Sequence, residues 1–97
     1  MPKTINLWEV DSSRMSTDPK ERVATMAKML EMTKKMLDAG EITDWGIFAG
    51  GGGGYVIGER PAAEVLKSTL GFAPHIKSHV YPVLSIDEVA EVMKSLR

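Results

Sequence analysis

Five consecutive glycines, Gly50–Gly54, separate two strand-like segments of this chain. A run of residues without Cβ gains nothing from a helix or a strand interior, and it turns easily through positive φ. The run therefore reads as a hairpin loop joining a strand over Ile42–Ala49 to one over Tyr55–Glu59. A tight hairpin makes those strands antiparallel neighbours, which disfavours a parallel three-layer arrangement. The glycines do not form a phosphate loop. Such a loop leads from a strand into a helix and ends in Lys and Ser/Thr, whereas this one leads to Tyr55 and a second strand. A mobile hairpin tip that binds no phosphate is expected, with a lid over a pocket mouth as the functional alternative.

The other elements follow from periodicity and punctuation. Thr4–Val10 alternates as a strand, and Asp11–Thr17 is loop-like. Asp18-Pro19-Lys20-Glu21 is a helix start, with Asp18 as cap, Pro19 in the first turn and Glu21 at the capping-box position. That helix runs to about Ala39 and stops at Gly40, with Val23, Met26, Ala27, Leu30, Thr33 and Leu37 as its core stripe. Pro61 opens a second helix that Gly71 ends, and Ile76–Val83 is the fourth strand. Ser85-Ile86-Asp87-Glu88 is a capping box before a short final helix carrying Ile86, Val89, Val92/Met93 and Leu96 on one face.

Strand-helix-strand, hairpin, helix-strand is the split βαβ order of a ferredoxin-like α+β domain. An antiparallel sheet ordered 4-1-3-2, with two helices on one face and an extra C-terminal helix, is expected. Ninety-seven residues make one domain, 1–97. A chain this short buries a modest share of its surface, so a partner would help it. Net charge is −1, which removes the electrostatic case for nucleic acid or an anionic membrane. No apolar run approaches the roughly 20 residues of a membrane span, and the N-terminal segment lacks the apolar stretch of a signal peptide. A cytoplasmic protein is expected. Absence of cysteine excludes disulfides, thiol nucleophiles and thiolate metal sites.

The strands are apolar on both sides. The aliphatic set Ile5, Leu7, Val56, Ile76 and Val80 suits the helix-covered face. Asn6, Trp8, Tyr55, Ile57, Glu59, Lys77, His79 and Tyr81 form an aromatic and polar set on the other. An open face of that kind is larger than monomers tolerate. The same face of a second chain would cover it and enclose a barrel-like cavity, making a homodimer or higher homo-oligomer. The alternative is a monomer whose final helix folds back over the face.

The segments Gly40–Gly50 (GEITDWGIFAG), Tyr55–Glu59 (YVIGE), Pro61–Leu70 (PAAEVLKSTL) and Ala73–Ser85, with its APHI and VYPVLS ends, resemble the dimeric α+β barrel superfamily. Within it the chain looks most like the muconolactone isomerase group and its uncharacterised relatives. The likeness covers roughly the last two-thirds of the chain and includes Asp44 and Trp45, which resemble a family marker. It implies a barrel shared between subunits, and it marks the fold better than the chemistry.

His79 is the leading acid–base candidate, mid-strand on the aromatic and polar face, with a structural histidine as the equal alternative. Glu59 is a second catalytic candidate whose carboxyl would move protons if partly buried, although a solvated strand end beside Arg60 is the simpler reading. In the expected order, His79 and Glu59 stand about 9–10 Å apart. Asn6 and Trp8 would lie between them, while Tyr55 and Tyr81 supply hydroxyls beside apolar rings. His75 is a surface or subunit-contact residue, and the two histidines are too far apart on a strand to share a metal. The methionines of the long helix read as core or oligomer contacts. No cofactor is called for. These features favour a small-molecule-binding protein, if catalytic a cofactor-free isomerase working by proton transfer. A non-catalytic binding or assembly module is the rival, and a cofactor-free monooxygenase is a third reading.

Overall fold

The computed structural model describes residues 3–96. Strands β1 (Lys3–Val10), β2 (Asp44–Ile47), β3 (Gly53–Gly58) and β4 (Ile76–Val83) form one antiparallel sheet in the order β2-β3-β1-β4. Read from the other edge, that order is β4-β1-β3-β2. Helices α1 (Pro19–Asp38), α2 (Ala62–Phe72) and α3 (Ile86–Ser95) complete an α+β fold, with a short 3₁₀ turn at Ser12–Arg14 inside the expected loop. Among the described residues, no helix is long and apolar enough to cross a membrane.

Local chemistry explains the helix boundaries. The Asp18 carboxylate accepts from the Lys20 N–H at 3.0 Å, Pro19 sits in the first turn, and Gly40 takes φ +74° just past the end. Glu21 does not close a capping box. Its carboxylate accepts from the Ser16 hydroxyl at 2.5 Å, and that hydroxyl accepts from the Asp18 N–H at 3.1 Å. The box at α3 is complete in both directions between Ser85 and Glu88. Gly71 does not end α2: it has no positive φ, and the helix runs on to Phe72.

The hairpin is shorter than the glycine run. Gly53 and Gly54 are buried strand residues, and the turn is confined to positions 49–52. Gly51 and Gly52 hold φ near +75°, at 74° and 78°. At Gly54 the reason is steric. A Cβ there would strike the Gly46 carbonyl oxygen and lie 2.5 Å from Trp8 Cζ2. A Cβ on Gly53 would sit 2.8 Å from the Trp8 carbonyl oxygen.

Register fixes the faces. Thr4, Asn6 and Trp8 pair with Gly58, Val56 and Gly54 on one side, and with Pro82, Val80 and Ser78 on the other. Those residues share the face beneath α1 and α2, together with Trp45 and Ile76. Ile5 and Leu7 pair with Ile57 and Tyr55, and with Tyr81 and His79, on the open face. The expected assignment of β1 is thereby reversed, while those of β3 and β4 hold. Trp8 turns under the helices because Gly54 leaves space for its indole, which stacks on Trp45 at 5.8 Å between ring centroids.

Few large apolar side chains are buried: Trp8, Met15, Ile42 and Val65 among the described residues. The inner stripe of α1 is Met26, Met29, Thr33 and Met36; of the expected stripe Met26 and Thr33 hold, whereas Val23, Ala27, Leu30 and Leu37 are exposed. Every described residue of α3 is exposed, so this helix does not fold back over the open face. The radius of gyration is 16.0 Å, against about 12.5 Å for a compact chain of this length.

Candidate functional site

Between the sheet and the two helices lies a cleft of about 110 Å³. Asn6, Trp8, Trp45 and Val56 supply its floor, Met26, Met29 and Met36 come from α1, and Val65, Ser68 and Phe72 from α2. The strand pleat directs every second β1 residue into it, and the helical repeat brings the α1 methionines onto one side. Its lining is apolar apart from Asn6, a few hydroxyls and one charged group, Arg60. Arg60 Nη1 donates to Ser68 Oγ at 2.8 Å, while its Nε is buried without a partner. Trp8 is 8% exposed and its indole N–H is likewise buried and unpartnered. Such donors are costly to leave unsatisfied.

The six residues expected to share one pocket are divided between the two sides of the sheet. Asn6 and Trp8 line the cleft, and the Asn6 side-chain oxygen accepts from the His79 backbone N–H at 3.1 Å. His79 projects on the open face, largely exposed, with Nε2 at 3.8 Å from Glu9 Oε1. Tyr81 is 52% exposed on that face. Tyr55 donates its hydroxyl to Asp44 Oδ2 at 3.0 Å, and this hydrogen bond raises the phenol above its ordinary pKa, with desolvation and the Asp44 charge acting in the same direction. Glu59 lies just past the end of β3 and is exposed. Asn6 and Trp8 therefore do not stand between His79 and Glu59. On that face the β1 side chains lying between β3 and β4 are Ile5 and Leu7.

Sequence reasoning passed over Arg60, Ser68 and Phe72 as site residues. Two signals were present: the eight-residue step from Arg60 to Ser68 across the start of α2, and the unbranched Met26, Met29, Met36 set on one helix. His75, expected at the surface, is half-buried with Nδ1 unpartnered. Among the described residues, no cluster of His, Asp or Glu is arranged to hold a metal ion. No protein-family model matches the chain, and no curated protein matches it.

Proposed function

We propose that this is a small-molecule-binding protein of the ferredoxin-like, dimeric α+β barrel kind, in which the two sheet faces have separate tasks. The open faces of two copies pair through Ile5, Leu7, Ile57 and Tyr81, and each subunit holds a ligand in the cleft beneath its own helices. The observation that carries this reading is the cleft itself, apolar, floored by the stacked Trp8–Trp45 pair and walled by adaptable methionines. Binding rather than catalysis is the activity it supports, because no His, Asp or Glu is among its described lining residues. A second reading, proton-transfer isomerisation, draws on the His79–Glu9 pair of the open face, which pairing of two copies would enclose.

Toluene tests the binding reading as a small apolar probe. Saturable binding should raise the melting temperature by mass action. Met29→Trp, which fills the cleft, should abolish that rise. No stabilisation by toluene, or one that survives Met29→Trp, contradicts the reading.

A further inference from the structure

Among the described residues, Arg60 is the only charged one lining the cleft, and no carboxylate lies within ion-pair distance of it. Its guanidinium is held in place by Ser68, and its buried Nε–H has no acceptor among the described residues. A guanidinium in an apolar cleft, anchored at one nitrogen and unsatisfied at another, is arranged to receive a planar anion. One positive charge is matched by one negative charge. A dianionic phosphate would leave excess charge in apolar surroundings.

Placement along the sheet sets the shape of the ligand. Arg60 follows Gly58 by two residues, and Gly58 pairs with Thr4 at one end of β1. The Trp8–Trp45 stack lies four residues further along, about 13 Å at strand rise. Met26, Met29 and Met36 line the same cleft from α1. Methionine is unbranched and flexible, so walls of it can follow the contour of an alkyl chain. We propose that the cleft takes an aliphatic monocarboxylate of medium length, its carboxylate on Arg60 and its tail along the methionines of α1 toward Trp8. This inference rests on the cleft being the binding site.

The test compares decanoate, decanol and decyl phosphate, all below their critical micelle concentrations, by calorimetry on the full chain. Decanoate should bind saturably, and about tenfold or more tighter than either of the others, the range expected of a hydrogen bond to a charged group. Arg60→Met should weaken decanoate by a similar factor and leave decanol unchanged, and Arg60→Lys should recover part of the loss. Circular dichroism of both variants establishes that they fold. If Arg60→Met does not fold, the Arg60→Lys comparison and the decanoate-to-decanol ratio of the parent decide. Equal binding of decanoate and decanol overturns the carboxylate assignment while the cleft stands. Tighter binding of decyl phosphate overturns the charge match. Failure of all three ligands, with toluene still bound, overturns the aliphatic chain. Failure of toluene as well removes the cleft as a site.

Discussion

Gly54 shows how one missing Cβ organises the molecule. It lets the β2 backbone approach on one side and the Trp8 indole settle on the other. Gly54→Ala should cost about 1–3 kcal/mol, the usual penalty for overpacking, measured by urea denaturation. A change within a few tenths of a kcal/mol would mean that β2 and Trp8 are not held as described. Gly50→Ala, with nothing within 4 Å of its added carbon and no positive φ, should be close to neutral. The sequence pattern alone does not separate these glycines, because all five look like loop. The cross-strand pairing of Trp8 with Gly54 distinguishes them, and that is a tertiary fact. Tyr55 provides a second test. Its folded pKa is raised above the ordinary value of 10.0, so its proton is held more tightly in the folded state. The resulting stability is present in full below the unfolded pKa and disappears as pH climbs through the folded one. Asp44→Asn should bring the tyrosinate absorbance midpoint of Tyr55 back toward the ordinary value, because the charged acceptor is gone. An unmoved midpoint would contradict the Tyr55–Asp44 hydrogen bond.

At the scale of elements, most helix caps were legible, whereas the facing of β1 was not. The Asp18-Pro19 start, the Gly40 stop and the Ser85–Glu88 box are local chemistry and appear where the sequence places them. Strand β1 is apolar on both sides, so alternation offers no choice between Ile5/Leu7 and Trp8/Val10. Register makes the choice, and with it moves Asn6 and Trp8 away from His79 and Tyr81. Helix α3 is well capped, yet each of its residues is exposed. The Ser85 backbone N–H depresses the Glu88 pKa first, with the Ser85 hydroxyl adding to it. The associated stability is present above the unfolded pKa of that carboxyl and is lost as pH falls through the folded one. Ser85→Ala should therefore lower helical content by circular dichroism, a cap loss of about 0.5–2 kcal/mol to α3 alone. It should leave the global unfolding midpoint nearly unmoved. A matching loss of global stability would show that α3 is packed in solution.

The whole molecule is long and thinly packed, 59 Å on its longest axis, with Leu7 and Tyr81 bare on the open sheet face. A free sheet face of this composition explains self-association better than it explains a monomer. Sedimentation equilibrium should give at least twice the 10.6 kDa of the chain, and Leu7→Glu should return it to a single chain. The apolar character of both sheet faces was legible in the two-sided apolar strands. The position of the cleft was not, because it depends on which side of β1 carries Trp8. In the proposed division of tasks, one face pairs copies while the other receives the ligand. Isotope-filtered NMR on a mixed-labelled sample saturated with toluene tests both halves in one spectrum. Toluene should contact the methyls of Met26, Met29 and Met36, and the copies should contact one another at Ile5, Leu7 and Ile57. Toluene contacts at Leu7 and Ile57 instead, with none at the α1 methionines, would overturn that division of tasks.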